Sequence, residues 1–319
     1  KNYMKLTRLI LLIVLLGLPQ LFSGQVKNIG LPQIKNYSRT DYKGGTQNWN
    51  IDQDKNGNIY FGNNDGLRQF DGAAWSKHKV KNSDAIKCLK VDPSGKIYVG
   101  CYNEFGYFKA NSKGKLEYFS LSSILDKKTL SLIDFIWKIH LYKDEVIFQS
   151  FNHLYIYKNH KIKIIGAPKR FQFSFLSNSK LYIQDISSGI LEYKDGKLNY
   201  LKGLNTLNNS EIWGMIELEK NKLLAATLDK GLFIIANNQI VPWDTEANTF
   251  IKKNGSLGCI LYKNKYTLFA ISAFLHLSSK FFIFLSNSKF NDSTYYCPYF
   301  LNLLNSSLYL RVVSSKFLV

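Results

Sequence analysis

The sequence predicts an all-β protein, because short strand-like segments separated by tight turns recur along most of the chain. The first copy contains the β-rich run Ile59–Phe61, which follows turn residues 54–57 and precedes Gly62 and Gly66. A second copy places Ile97–Val99 at the same position 38 residues later. The repeats lack the sustained 3.6-residue periodicity that a helical solenoid requires.

Three further copies carry the same central run, at Val146–Phe148, Leu181–Ile183 and Leu223–Ala226. Successive copies are 35 to 49 residues apart. Units of this length built from short strands are typical of β-propellers, in which each unit forms a small antiparallel sheet called a blade. We therefore predict a propeller of four-stranded antiparallel blades, with about five blades present and the ring truncated. The expected blades are 45–80, 84–121, 135–165, 171–203 and 211–245, with the start of a sixth at 250–262.

The first repeat, Asp54-Lys-Asn-Gly-Asn-Ile-Tyr-Phe-Gly-x-x-x-Gly-Leu67, resembles the repeat of the two-component regulator propeller family. The segment Gly30–Tyr37, followed by Gln47-Asn-Trp49, resembles the start of the propeller in members that contain a triple-tyrosine domain. The resemblance covers about residues 28–262. It implies a sensor domain of a kind common in Bacteroidetes, which a β-sandwich domain, a membrane helix and a cytoplasmic output domain follow in the intact protein.

This resemblance also implies partners for the chain. They are a small-molecule or oligosaccharide ligand, namely a carbohydrate or an envelope-derived molecule, and the membrane-anchored output domain, which is missing here. The intact protein could in addition form a dimer. The resemblance thus implies a role in signal transduction or transcriptional regulation, which rests on analogy with the family.

The N-terminus has the pattern of a secretory signal peptide, expected at 1–24. Met4–Arg8 is basic, Leu9–Leu18 is apolar, and Phe22–Gly24 offers small residues for cleavage. The apolar run is shorter than the roughly 20 residues that span a bilayer. We therefore expect a periplasmic or otherwise extracytoplasmic location, with the intact protein anchored in the inner membrane. An uncleaved N-terminal anchor is the alternative, and residues 25–44 are expected to be a lead-in strand or linker.

The composition changes after Gly258, which is the last of the 21 glycines. In the 61 residues that follow, Asp292 is the only acidic residue. We interpret residues 263–319 as an atypical tail, translated out of frame. A membrane segment around Tyr266–Leu285 is the alternative, although Lys280 interrupts it.

The chain is basic, with a formal net charge of +19. In a cytoplasmic protein this excess would favour nucleic acid as a partner. The signal peptide and the dispersion of the lysines argue against that, so no nucleic-acid contact is expected. An acidic glycan or another polyanion is one explanation of the charge, and a lysine-rich proteome is the simpler one.

Aromatic residues recur in the first strand of four blades, and we predict that they bind the ligand: Trp49, Trp137, Phe173 and Trp213. Rings near a propeller channel could stack on sugar rings. Each tryptophan also shares a strand face with an apolar residue two positions later, so packing between blades is the alternative. Glu104, in the hairpin of the second blade, is the acidic residue expected beside them.

No cofactor, metal site or catalytic residue is predicted. Asp52-x-Asp54-x-Asn56-Gly57 matches the beginning of a calcium loop, but Asn63 stands where that loop needs a bidentate Glu. No nucleophile elbow, zinc-protease motif or phosphate loop is present. We therefore expect that this segment is not an enzyme. A secreted propeller lyase or glycosidase and an adhesion or scaffold propeller are the alternatives.

Histidines and cysteines receive structural interpretations. The histidines lie beside strand or turn residues, at His78, His140, His153 and His160. Cys88 and Cys101 fall in neighbouring strands of the second blade, where an oxidising compartment would permit a disulfide. Spacing alone does not establish the geometry that a disulfide needs.

Overall fold

In the computed structural model, five four-stranded antiparallel sheets follow one another along the chain. The structure describes residues 35–204, 207, 209–262, 266–271 and 310–312, without the side chains of 246–247 and of residues from 260 onward. The chain divides into two compact units, one of Asn36–Arg311 and one of Lys1–Lys35 with Val312–Val319. The expected signal peptide and most of the expected tail lie outside the described residues.

The five sheets are numbered as blades 1 to 5 in chain order. Blade 1 consists of β2 (Asn48–Gln53), β3 (Ile59–Asn63), β4 (Gly66–Phe70) and β5 (Trp75–His78). Blade 2 consists of β6 (Cys88–Val91), β7 (Ile97–Gly100), β8 (Phe105–Ala110) and β9 (Leu116–Ser120). Blade 3 consists of β10 (Lys138–Tyr142), β11 (Glu145–Gln149), β12 (His153–Lys158) and β13 (Lys161–Gly166).

Blade 4 consists of β14 (Phe171–Ser177), β15 (Lys180–Asp185), β16 (Gly189–Lys194) and β17 (Lys197–Tyr200). Blade 5 consists of β18 (Ile212–Glu219), β19 (Lys222–Thr227), β20 (Leu232–Ala236) and β21 (Gln239–Pro242). The remaining strands are β1 (Lys35–Tyr37), β22 (Ser256–Tyr262), β23 (Tyr266–Ile271) and β24 (Leu310–Val312). The predicted all-β fold of four-stranded antiparallel blades is confirmed.

The blades pack face to face around their first strands. The first strands are neighbours in chain order, from β2 through β6, β10, β14 and β18 to β22. A core cluster of buried side chains lies at each successive interface, for example Leu67 of blade 1 with Ile97 of blade 2, and Phe105 of blade 2 with Phe148 of blade 3. Burial of each such side chain contributes about 1.5–3 kcal/mol to folding.

Turns between the first and second strands take two forms. In blade 1, Asp54 Oδ1 accepts hydrogen bonds from the backbone N–H groups of Asn56 and Asn58, both at 2.9 Å, and Gly57 has a φ of 90°. Asp54 Oδ2 accepts from Asn58 Nδ2 and the Tyr60 hydroxyl. Asp54 of the calcium-like pattern is therefore engaged by the turn itself, whereas Asp52 pairs with Lys90 of blade 2.

Blades 3 to 5 use two-residue turns, and here the glycine of blades 1 and 2 is replaced. In blade 4, Ser177 pairs with Lys180, and the residues between them, Asn178 and Ser179, have φ values of 49° and 57°. Two successive residues with positive φ define the tight hairpin turn that matches the twist of the strands. The last two strands of blade 5 are joined the same way, by Asn237 and Asn238.

Buried glutamine side chains link the second strand of one blade to the beginning of the next blade. In blade 3, Gln149 Nε2 donates to the backbone carbonyl of Gln172 in blade 4 at 2.7 Å, and its Oε1 accepts from the Ser174 hydroxyl. In blade 4, Gln184 Nε2 donates to the carbonyl of Ser210 at 2.6 Å. Its Oε1 accepts from the backbone N–H of Ile212, the first residue of β18, at 2.7 Å. These amides satisfy backbone groups at the blade interfaces, where an unpaired polar group would be costly.

The lead-in segment covers the face of blade 1 that is turned away from blade 2. Helix α1 (Arg39–Tyr42) begins with a capping box between Ser38 and Asp41. The rings of Tyr37 and Tyr42 contact the Trp75 ring, with centroids 5.3 and 5.7 Å away. These contacts give the first blade a packed partner on its outer face.

Helices form in two connections that the sequence analysis left without a definite helix. The insertion after blade 2 contains a 3₁₀ turn (Ser122–Ile124) and helix α2 (Lys127–Leu130), which Asp126 caps. Helix α3 (Glu246–Asn254) overlaps the first residues of the range 250–262, and its segment contains no Gly or Pro until Gly255 ends it. Its Ile251 is buried against blade 5. The strand β22, which follows within the same range, pairs with β23.

Cys88 and Cys101 are both free and buried. Cys88 belongs to the core between blades 2 and 3, whereas Cys101 belongs to the core between blades 1 and 2. The two thiols therefore serve different blade interfaces, and the disulfide considered from the sequence does not form.

Blade 2 requires glycine at position 106. A Cβ on Gly106 would lie 2.2 Å from the carbonyl oxygen of Phe119 in the neighbouring strand. We expect Gly106→Ala to lower the free energy of unfolding by about 2 kcal/mol, because the strands must separate to admit the methyl group. Gly166→Ala is the matched control, since its nearest atom would be 4.0 Å away. Urea unfolding of both variants tests this, and equal stabilities would contradict it.

Candidate functional site

The two ends of the blades differ in which turns and strand ends lie there. Because neighbouring strands are antiparallel, the start of each first strand lies at the same end as the turn between the second and third strands. We call this the entry end, since the chain enters every blade there. The opposite end carries the turns between first and second strands and is called the turn end.

A β-bulge lies at the start of several first strands. In blade 1, Asn48 pairs with Asn63 and Asn50 with Gly62, so Trp49 is an extra residue in its strand. In blade 5, Trp213 is the extra residue between two consecutive pairs. Blade 4 has the same irregularity between Phe171 and Ser174, which encloses Phe173. Such bulges redirect a side chain out of the regular alternation of the strand.

The rings at the bulges, together with Trp137 and Phe151 of blade 3, form a continuous series across the entry end. The Trp49 ring lies 5.9 Å from Trp137, which lies 5.5 Å from Phe151. Phe151 lies 6.2 Å from Phe173, which lies 5.1 Å from Trp213. We call these five residues the aromatic row. Trp49 and Trp213 contact their neighbours edge to face, at 72° and 81°, an arrangement that aromatic pairs favour.

The contact between Trp49 and Trp137 joins blades 1 and 3, which are not neighbours. Blade 2 contributes Lys87 at the equivalent position, and its Nζ lies 3.6 Å from the centroid of the Trp49 ring. The pKa of Lys87 is lowered because burial removes the ammonium from water. The row thus includes the point where the first strands of three blades converge.

Two more cations lie over rings of the row. Lys138 Nζ is 4.8 Å from the Phe173 centroid, and the guanidinium carbon of Arg170 is 4.7 Å from the Phe151 centroid. Burial also lowers the pKa of Lys138. Cation–π contacts of this kind contribute about 0.5–2 kcal/mol each, depending on their exposure.

The three indoles of the row differ in their hydrogen bonds. Trp49 Nε1 donates to Asn64 Oδ1 at 2.6 Å, and Trp213 Nε1 donates to Glu211 Oε2 at 2.8 Å. Trp137 Nε1 is buried and has no hydrogen-bond partner within the part of the chain that the structure describes. A buried donor without an acceptor is rare and costly.

The structure brings together four of the five residues that the sequence singled out, namely Trp49, Trp137, Phe173 and Trp213. Glu104 does not join them. It is 4% exposed, and its Oε1 accepts hydrogen bonds from the hydroxyls of Tyr118, Ser120 and Ser122 at 2.9, 2.8 and 2.6 Å. Glu104 was expected beside the rings, but its buried carboxylate instead holds the last strand of blade 2 and the segment after it through these hydrogen bonds.

Sequence reasoning missed Lys87, Lys138, Phe151 and Arg170. Lys87 precedes Ile97 by ten residues, as Trp49 precedes Ile59, so alignment of the copies carried a signal for it. Phe151 and Arg170 lie in connections that the other copies do not share, and the repeat pattern contains no signal for them.

Two clefts lie at the turn end. One, of about 630 Å³, is lined by turns of blades 1 and 2 that include Asp54 and Asp92. Asp92 Oδ1 accepts from the Ser94 hydroxyl and the Lys96 backbone N–H, so its turn uses it as blade 1 uses Asp54. The other, of about 290 Å³, lies between blades 4 and 5 beside Tyr182. The two aspartates of the first cleft are engaged by their own turns, which favours the entry end as the site.

Acid–base and metal chemistry find little support in the described residues. His140 Nε2 lies 2.7 Å from the Ser174 hydroxyl at the interface of blades 3 and 4. Burial, assisted by the charge of Lys138, lowers the pKa of His140 to about 3. Within the described ranges, no group of three or more His, Cys, Asp or Glu side chains could hold a metal ion. The arrangement at the entry end is suited to contact with rings and anions.

Several solved structures share this fold. The extracellular domain of a protein described as the hybrid two-component system BT4673 from B. thetaiotaomicron gives a TM-score of 0.60 at 17% identity, over 87% of this chain and 36% of that one. Virginiamycin B lyase from Staphylococcus aureus gives a TM-score of 0.60 at 11% identity, over 84% of this chain and 88% of the lyase. The WD40 propeller domain of Doa1 gives 0.58 at 10% identity, over 85% and 88%.

At these identities the likenesses show the fold alone, which is that of a β-propeller. The chain spans about a third of the length of the BT4673 chain, 36%. No protein-family model matches the chain, and no curated protein matches it. Among the described residues there is no helix with the length and apolar character needed to cross a bilayer.

The unpaired indole leads to a prediction about stability. Trp137→Phe, Trp49→Phe and Trp213→Phe remove the same volume, but only the last two remove a hydrogen bond. We expect Trp49→Phe and Trp213→Phe each to cost about 1 kcal/mol more than Trp137→Phe in free energy of unfolding. Urea unfolding measures the three values, and a larger loss for Trp137→Phe would contradict the assignment.

The partly buried His140 predicts a pH dependence of stability. Below the ordinary pKa of 6.5 the unfolded chain binds a proton that folded His140 refuses down to about pH 3. His140 therefore does not reduce the free energy of unfolding above pH 6.5. Below that pH it lowers the free energy of unfolding by up to about 1.4 kcal/mol per pH unit.

We expect His140→Gln, whose amide can still bond to Ser174, to flatten the pH profile of the free energy of unfolding between about pH 4 and 6.5. The exposed His160→Gln is the control and should keep the steeper profile. Identical profiles for the two variants would show that His140 titrates normally.

Proposed function

We propose that this chain is the extracytoplasmic ligand-sensing propeller of a bacterial signal-transduction or transcriptional regulator. The ligand is a carbohydrate or an envelope-derived molecule that binds at the entry end. The observation that carries the proposal is the aromatic row, in which rings from blades 1, 3, 4 and 5 meet although they are far apart in sequence.

The chemistry of the row fits such a ligand. Trp49, Trp137, Phe151 and Trp213 are partly exposed, whereas Phe173 is 8% exposed and lies in the core. Partly exposed rings on a rigid scaffold present apolar faces to the C–H faces of sugar rings. Lysine and arginine side chains around them supply hydrogen-bond donors for hydroxyl or acidic groups.

Signalling requires more than binding. A ligand shifts a conformational equilibrium only if it binds two states with different affinity. In the proposed regulator these states are two arrangements of sensor domains, coupled to an output domain on the other side of the membrane, and a dimer is one way to couple them. The extracellular domain of the BT4673 system, which shares the fold, supports the extracytoplasmic and sensory assignment.

A secreted propeller lyase is the second candidate, because virginiamycin B lyase shares the fold over 88% of its length. The two groups best placed for such chemistry are both engaged elsewhere. Glu104 is held by three hydroxyls, and His140 is bonded to Ser174 with a strongly lowered pKa. An adhesion or scaffold propeller is a third candidate, which the presence of a sorting domain in the full gene would favour.

Ligand binding can be tested by titrating the chain with a panel of oligosaccharides while recording tryptophan fluorescence and, separately, calorimetric heats. We expect at least one oligosaccharide to bind, and Trp137→Ala to weaken that binding by about tenfold or more. Trp75→Phe is the control, because Trp75 lies on the outer face of blade 1 with Tyr37 and Tyr42.

Binding that Trp137→Ala leaves unchanged would remove the aromatic row as the site. Circular dichroism of the variant must match that of the parent chain, because loss of a ring that contacts Trp49 and Phe151 could also unfold it. Conversion of any panel member to a new product during the titration would favour the lyase over the sensor.

A further inference from the structure

We propose that the ligand of the aromatic row is anionic. It is an oligosaccharide with carboxylated or sulfated sugars, whose rings contact the row and whose acidic groups bind Lys87 and Arg170. This inference rests on the proposed function and narrows it to a substrate class. It follows from the charge and hydrogen-bond inventory of the entry end.

The cations of the row are held in place by rings instead of carboxylates. Lys87 lies over Trp49 at 3.6 Å and also faces Phe135 at 5.5 Å. Arg170 lies over Phe151 at 4.7 Å. Among the ion pairs of the described residues, none involves Lys87, Lys138 or Arg170. A cation that rests on a ring keeps its donors available on the other side.

Acidic side chains occur near the row, but among the described residues their hydrogen bonds come from groups other than the three cations' side chains. Asp185 is fully buried, and its Oδ2 accepts from the backbone N–H groups of Lys169 and Arg170 at 2.9 and 3.0 Å. Its Oδ1 accepts from two further backbone N–H groups in its own turn. Glu211 accepts from the Trp213 indole, and Asp134 Oδ1 accepts from the Phe135 N–H at 2.6 Å.

Four groups at the row have no hydrogen-bond or ion-pair partner among the described residues, and all four have the same character. The ammonium groups of Lys87 and Lys138, the guanidinium of Arg170 and the indole N–H of Trp137 are all hydrogen-bond donors. A neutral sugar offers both donors and acceptors and would leave much of this charge uncompensated. A carboxylate or sulfate offers acceptors only, and charge-assisted hydrogen bonds to it are about twice as strong as neutral ones.

The ligand must also have a ring. Lys87 and Arg170 lie over Trp49 and Phe151, two members of the row that Trp137 joins through contacts of 5.9 and 5.5 Å. An acidic ligand that contacts either cation therefore also lies against aromatic surface. An acidic pyranose matches both features, because its acid projects from a ring with an apolar C–H face, whereas a simple inorganic anion would leave the aromatic surface unused.

The experiment measures affinity of the whole chain for matched probes by calorimetry. The carboxylated probe is tetragalacturonate, the sulfated probe is a heparin-derived tetrasaccharide, and the neutral probes are maltotetraose and cellotetraose. We expect an acidic probe to bind at least about tenfold more tightly than the neutral ones, the effect of one charge-assisted contact. Raising the salt concentration should weaken that binding, because it screens the charges.

The variants test location. The double variant Lys87→Gln/Arg170→Gln should lose about tenfold or more in affinity for the acidic probe. The control Lys55→Gln/Lys113→Gln removes the same charge from exposed turns at the turn end and should bind as the parent chain does. Binding by either acidic probe supports the inference, and the preferred probe identifies the acid.

Three outcomes would overturn it. The first is that neutral probes bind as tightly as acidic ones while Trp137→Ala still weakens their binding. This result would leave the sensor proposal intact but would contradict the anionic specificity. Equal losses in the two double variants would show general attraction to a basic protein in place of a site. Failure of all four probes to bind would overturn both proposals for these ligand classes.

Discussion

The extra residue at the start of the innermost strands is the constraint on which the rest of the structure depends. Strand side chains alternate between two faces, and in a propeller both faces of a blade pack against neighbours. A side chain that follows the alternation is therefore committed to a blade interface. The bulges at Trp49, Phe173 and Trp213 each add a residue that interrupts this alternation. Its side chain is free to turn toward the entry end, where the first strands converge.

Convergence of these rings requires that successive first strands keep fixed positions. Apolar clusters between the blades supply most of the packing, and specific polar bridges fix the register. Gln149 and Gln184 each span to the next first strand, and Asp52 does the same from blade 1 by accepting from the Val91 N–H at 2.9 Å and pairing with Lys90 at 2.8 Å. Trp49 can contact Trp137 across blade 2 because apolar clusters hold both intervening interfaces, and Asp52 adds a polar bridge at the first of them.

The blades themselves were predictable because the sequence signals for their strands and turns lie within each blade. Turn residues such as Asp54 and Gly57, with short β-rich runs between them, repeat at intervals that few folds other than propellers share. The recurrence of Trp49, Trp137 and Trp213 could also be read from the repeats, although which ring touches which could not. Phe151 and Arg170 belong to connections without counterparts in other copies, so no periodic signal marks them. Glu104 was expected beside the rings because it lies in the hairpin of blade 2. The three hydroxyl groups that donate hydrogen bonds to it lie 14 to 18 residues later in the sequence, so no local sequence pattern marks it as a buried carboxylate.

The two-residue hairpins at the turn end have a consequence for how this scaffold can change. In such a hairpin an inserted residue shifts the register and moves every following side chain to the opposite face. The connections at the entry end, such as residues 121–137 and 243–255, already contain short helices and irregular chain, so their length is not coupled to strand pairing. New sequence, whether acquired in evolution or grafted by design, is therefore tolerated on one side of the blades and rejected on the other. Diversity in loop length among proteins built on this plan should accumulate on the side that carries the aromatic row.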